Sequence, residues 1–205
     1  MNYQLTQLEG NIKNLYINLG IELPYEIDIY HIANELDIWI YFHPYESEIF
    51  KRNGLYSMFL DERLSTQEQW QDFGHELGHI IRHIGNQHKL ALPFRSLQEN
   101  QANNFMYHFC VPTFMLLNYE INNFININDG IKFISKTFHV TEEFAQKRLI
   151  QFKNQIYQAK SDEEHRRYME SLYPKINPEN YSDETKSLLN KLYIQLDKKK
   201  DGAAK

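Results

Sequence analysis

The chain has 205 residues, a formal net charge of −5 and a single cysteine. That length can bury the core of one domain or two, while the acidic balance argues against broad binding to a phosphate backbone, which needs a basic surface. One cysteine excludes an internal disulfide and suits a reducing compartment. No basic stretch followed by an apolar one opens the sequence, and no run of ~18 apolar residues occurs, so a cytoplasmic protein without a membrane segment is expected.

Apolar positions at Leu5, Leu8, Ile12, Leu15 and Tyr16 predict a helix over 3–19, stopped by Gly20. After Pro24 a second short helix is expected over 27–36. Ile38-Trp39-Ile40-Tyr41-Phe42 is β-branched and aromatic throughout and reads as a strand. Asn53-Gly54 marks a turn, and 55–60 alternates as a further strand. A small antiparallel sheet follows, whose outer strand could offer backbone N–H and C=O groups to an extended peptide.

A helix comes next, with Ser65 or Thr66 as cap and Glu68 or Gln69 near the capping-box position. Trp70, Phe73, Leu77, Ile80 and Ile81 give it one apolar side. It carries His75-Glu76-Leu77-Gly78-His79, an H-E-x-x-H pattern. With ~3.6 residues per turn, positions four apart share a face. Both imidazoles can therefore grip one metal ion, with Glu76 beside it to take a proton from the attacking water. Gly78 costs about 1 kcal/mol of helix propensity, so a small residue there points to close approach by another segment or the metal site.

A catalytic zinc site needs a third protein ligand. His83 lies ~12 Å along the axis from His75, too far to share a metal with bonds near ~2 Å, and His88 fails likewise. A metzincin would place a histidine at position 85, which is Gly85. Pro93 breaks the chain, and 95–106 reads as a second amphipathic helix on which Glu99 and Asn103 share a face. Glu99 is the better third ligand, and Asn103 could hydrogen-bond the far nitrogen of a ligating histidine. A plain solvated carboxylate is the competing reading of Glu99; Glu120, Glu142 and Glu143 offer carboxylates without a supporting pattern. Zinc is the expected ion, though His/His/Glu also accepts manganese or cobalt. Tyr107, His108, Tyr56 and His139 are oxyanion candidates by residue type alone, and His108 reads more readily as a packed helix histidine. Cys110, among Phe109, Val111 and Phe114, reads as a buried, inert thiol.

Pro112 starts a short helix, and 131–137 with 141–152 form a helix pair. After Gln158 the chain turns charged, Pro174 and Pro178 punctuate it, and 188–196 forms a last helix before a frayed tail. The expected division is 1–120 as a core with the H-E-x-x-H and third-ligand helices, 121–158 as a helix pair, and 159–205 as a charged helical appendage that contacts a partner.

H-E-L-G-H, then Glu99-x-x-Ala102-Asn103-x-Phe105, then Cys110-Val111-Pro112 resembles the ImmA/IrrE metallopeptidases of the gluzincin group, closest to the ImmA branch. The lead-in over 56–64 and the element over 138–149 resemble the same family, so the likeness covers roughly 20–155. The chain departs at Gln101, where many members are acidic, and at Cys110-Val111 in place of Leu-Met; neither position is an expected ligand. The resemblance implies an α+β, mainly helical, zincin-like fold and zinc-dependent peptide-bond hydrolysis. It also implies a substrate: a helix-turn-helix repressor whose cleavage derepresses a prophage or other mobile element. Two alternatives stand beside it. Residues 131–149 can be read as a DNA-binding helix-turn-helix, but Glu142 and Glu143 face phosphates poorly and only Lys147 and Arg148 favour it, so direct nucleic-acid contact is not expected. A non-catalytic, metal-containing anti-repressor binding module is the other; it has no use for Glu76 as a general base.

Overall fold

The computed structural model describes residues 3–82, 92–119, 127–173 and 177–202, with 197–202 by backbone alone. His83, His88 and Glu120, weighed above as ligands, lie outside these residues. Contacts divide the chain after Ala159 into two units.

The first unit opens with α1 (Gln7–Asn18), capped by a reciprocal Thr6–Glu9 box. Gly20, at φ +72°, ends it as expected: its N–H bonds Ile17 O and that of Ile21 bonds Tyr16 O, a closure that needs a left-handed residue. Asp28 caps α2 (Ile29–Glu35) through the His31 N–H at 2.7 Å. Three strands follow, β1 (Ile38–His43), β2 (Glu48–Arg52) and β3 (Leu55–Asp61). Asn53 and Gly54, both at positive φ, close the β2–β3 hairpin.

The α+β expectation holds, but the sheet is mixed rather than antiparallel throughout. Its order is β1-β3-β2, with β3 parallel to β1 and antiparallel to β2. β3 carries the fully buried Met58 and Leu60, so it takes the centre. Two chain reversals, at 44–47 and at Asn53-Gly54, bring it back in the direction of β1. β2 itself went unread in the sequence because only Ile49 of its five residues is better than exposed on the core side.

Among the described residues the unit continues with α3 (Thr66–Arg82), α4 (Leu92–Cys110), α5 (Thr113–Leu116), α6 (Ile127–Phe138) and the first part of α7 (Glu142–Leu172). Pro93 falls inside the first turn of α4 instead of preceding the helix; a first-turn proline loses no intrahelical hydrogen bond. The core runs through all of these elements, from Ile12 and Tyr16 to Phe144 and Leu149. Arg148 is fully buried. Its guanidinium donates to Val111 O at 3.1 Å and to the Thr113 hydroxyl at 2.7 Å, and that hydroxyl donates to Glu9 at 2.6 Å. This chain of bonds ties α7, α5 and α1 together. It also removes one of the two cations on which a phosphate-facing reading of the helix pair relies.

The second unit contains the rest of α7, a 3-10 turn at Pro178–Asn180 and α8 (Asp183–Gly202). α7 continues as helix through the charged run at 160–167, held partly by i,i+4 pairs such as Arg167–Glu163. Among the described residues, no helix is long and apolar enough to cross a membrane.

Candidate active site

α3 starts where Ser65 and Glu68 cap each other: Ser65 N–H donates to Glu68 Oε2 at 2.9 Å and Glu68 N–H to Ser65 Oγ at 3.3 Å. From that start Trp70, Phe73 and Leu77 turn into the core, while His75, Glu76 and His79 are shared with the site. α4 lies close against α3 because two glycines admit it. A Cβ on Gly78 would stand 3.1 Å from Phe105 Cδ1 and 3.2 Å from both Cα and O of Ala102; one on Gly74 would meet Cys110 Sγ at 2.6 Å. The close approach expected at Gly78 is thus that of α4, and Glu99 rides on it.

The three expected ligands meet. His75 Nε2 and His79 Nε2 are 3.0 Å apart, and Glu99 Oε2 is 3.3 Å from the first and 3.6 Å from the second. Ligand atoms ~2.0–2.1 Å from a tetrahedral zinc ion are ~3.3 Å from one another, so this triangle has the dimensions of one face of such a site. The donor set, two imidazoles and a carboxylate, suits a divalent ion, and these residues could hold one. His79 is buried and Glu99 is 42 % exposed, which leaves the site open on the α4 side. Glu99→Ala is expected to keep the fold and weaken metal retention by at least ~10–100-fold, the cost of losing even a supporting residue. Metal content after dialysis checks this; full retention would move the third ligand elsewhere.

Glu76 sits between the two histidines in sequence and is largely withdrawn from water. Burial, then the carboxylates of Asp72, Glu99 and Glu48, push its pKa up to about 8. That is the metal-free site; a divalent cation held by the triangle would favour the charged carboxylate and draw the value back down, toward the ionised form that a general base needs. Asp72 lies one turn before Glu76 on α3. Its own pKa is raised, by burial first, and Ser47 donates to it at 2.6 Å. Asp72, Ser47 and Glu48 were missed in the sequence. Only Asp72 left a signal there, being four residues before Glu76 and three before His75 on the helix.

The remaining candidates do not join the triangle. Asn103 is exposed, and its side chain makes no hydrogen bond among the described residues; Ala102, fully buried against Gly78, takes the inward position, and one residue on the helix has turned by ~100°. Tyr107 is ~12 Å farther along α4 than Glu99 and packs on Phe144, with ring centroids 4.6 Å apart. His108 is buried with Nδ1 3.6 Å from Glu9. Burial first, and then the Arg148 guanidinium, lower its pKa to about 4, the state of a packed, neutral histidine. The Tyr56 hydroxyl pairs with Lys51 Nζ at 2.8 Å, near the hairpin turn and three residues along the sheet from Glu48. His139 bonds Thr66 Oγ1 at 3.1 Å at the start of α3. Cys110 is buried, and burial raises its thiol pKa well above the usual value.

The sequence pattern of Peptidase_M78, the IrrE N-terminal-like domain, matches residues 33–150. Phage-like element PBSX protein XkdA of Bacillus subtilis is 49 % identical over 152 residues, 74 % of this chain and 76 % of that protein. YqaB of the same organism is 40 % identical over 149 residues, 73 % of this chain and 86 % of the relative. Among solved structures, a Mycobacterium tuberculosis transcriptional regulator superposes with a TM-score of 0.53 at 13 % identity, covering 71 % of this chain and 56 % of that one, a likeness of fold alone. With more than half of its length matched and a relative at 49 % identity, the chain belongs to the Peptidase_M78 family, the IrrE N-terminal-like group.

Proposed function

We propose that the protein is a zinc-dependent endopeptidase that cleaves a helix-turn-helix repressor of a prophage or related mobile element. The observation that carries this reading is the His75–His79–Glu99 triangle beside a half-buried carboxylate, Glu76. A bound divalent ion supplies Lewis acidity, activating water and polarising the peptide carbonyl. Glu76 takes the proton of the attacking water and returns it to the leaving amine. The outer edge of β2 is unpaired among the described residues, and Glu48 at its start is close enough to Glu76 to raise its pKa. A substrate strand added to that edge gains main-chain hydrogen bonds in front of the base. The repressor as substrate rests on the resemblance to the ImmA branch and on the phage-element relative.

The test is co-expression with the helix-turn-helix repressor encoded nearest to this gene, following the repressor's intact mass. A discrete truncated product with wild type and none with Glu76→Gln is expected. An intact repressor that nevertheless co-purifies with the wild-type protein at one-to-one stoichiometry would replace the peptidase reading with a binding module.

A further inference from the structure

We infer that the Ser47–Asp72 hydrogen bond is a clamp that fixes the edge strand β2 over the active helix, making Ser47 a positioning residue for the substrate strand. The inference rests on the peptidase reading above. Ser47 closes the 44–47 link and precedes the first residue of β2. Its hydroxyl donates to Asp72 Oδ2 at 2.6 Å and accepts the backbone N–H of Asp61 at 3.1 Å. Asp61 ends β3 and is itself fixed, its carboxylate accepting from Arg63 Nε at 2.8 Å and from Arg63 Nη2 at 2.6 Å. One hydroxyl therefore joins the fixed end of the central strand, the entrance of the edge strand and the helix turn before Glu76.

β2 needs such a tie. Four of its five residues are exposed, and only Ile49 packs against the core. Few buried apolar contacts make a segment prone to local opening. The link from Ser47 ends on a carboxylate, and a hydrogen bond to a charged acceptor is about twice as strong as a neutral one. An arriving substrate strand would lie ~4.8 Å beyond β2, so the height of β2 sets where the scissile carbonyl falls. When β2 is in place only part of the time, apparent affinity drops by that fraction. Once the substrate has paired, the strand is ordered by the substrate itself, so the burden falls on binding and not on turnover.

The experiment uses Ser47→Ala, Ser47→Thr and wild type as full chains, loaded with zinc. Amide hydrogen exchange in Ser47→Ala is expected to speed up about tenfold over 48–52 and to stay unchanged in α3 and α4, with metal content unaltered. For a peptide spanning the bond cleaved in the repressor, KM rises about tenfold while kcat changes by less than about twofold. Ser47→Thr, which keeps the hydroxyl, restores both. Unchanged exchange over 48–52 would overturn the clamp, and so would faster exchange spread through the whole first unit or metal loss, either of which makes Ser47 a general structural residue. A wild-type protein that cleaves nothing would sink the peptidase reading, whereas the exchange measurement still decides whether Ser47 holds β2.

Discussion

Glu76→Gln protein is expected to fold, to retain metal and to lose cleavage by ~10²–10⁴-fold, the usual worth of a positioned general base. Glutamine keeps the shape of glutamate and lacks the proton affinity, and the three residues of the triangle are untouched. A variant that still cleaves at the wild-type rate would reject Glu76 as the base. The same change is expected to stabilise the metal-free protein. Glu76 is held at about 8 against an ordinary 4.5, by burial and then by Asp72, Glu99 and Glu48. Its folded pKa is thus above its unfolded one, so between about pH 4.5 and 8 the folded state keeps a proton that the unfolded chain has released. Wild-type stability therefore falls as pH rises through that window. The deficit is absent below it and complete above it. At pH 7 it is on the order of 3 kcal/mol, and glutamine removes it. Urea unfolding in chelator at pH 4, 7 and 9 reads this directly: the two proteins should coincide at pH 4 and diverge upward. Parallel curves at all three would show that Glu76 does not carry the buried proton.

What could be read from the sequence divides by the range of the interaction. His75, His79 and Glu76 share a helical face by spacing alone, and Glu99 stood out because a second amphipathic helix presented it beside a polar residue. Gly78 signalled close approach because glycine is costly in a helix unless space demands it. The mixed order of the sheet was not legible: local alternation gives a strand but not its neighbour, and β2 lacks the apolar face that marks one. Asn53-Gly54 with Glu48–Arg52 on its other side was the available signal for a hairpin. Ser47–Asp72 and Arg148–Thr113–Glu9 pair residues 25 to 104 positions apart, and no local pattern encodes such pairs. Arg148 illustrates the hazard: in sequence it is a cation on an exposed-looking helix, and in the fold it is the most deeply buried charge described. Asn103 shows the limit of facial reasoning on α4, where the small residue needed opposite Gly78 displaced the polar one from the inward position.

Gly78→Val is expected to abolish metal binding although it touches no ligand. The first atom of any side chain there arrives 3.2 Å from the Cα and O of Ala102, which are backbone and move only if α4 moves. Ala102 is three residues after Glu99, so α4 cannot back away without carrying the third ligand from the two histidines. Gly78→Ala is the milder form. It gains about 1 kcal/mol of helix propensity, which offsets part of the crowding, so overall stability should change little. The helices must still separate by a few tenths of an ångström, and metal affinity is expected to drop about tenfold. Valine adds two further methyl groups against Phe105 and Ala102, and overpacking of that kind costs about 1–3 kcal/mol on top of the lost site. Gly10→Ala in α1 is the control, because nothing lies within 4 Å of the Cβ it would gain; it should raise stability by about 0.5–1 kcal/mol and leave metal binding alone. Chelator competition together with thermal unfolding separates the two quantities. If Gly78→Ala loses stability and metal affinity in step, the glycine serves the core as a whole. A loss of affinity at near-constant stability means that the separation of α3 and α4 sets the geometry of the metal site.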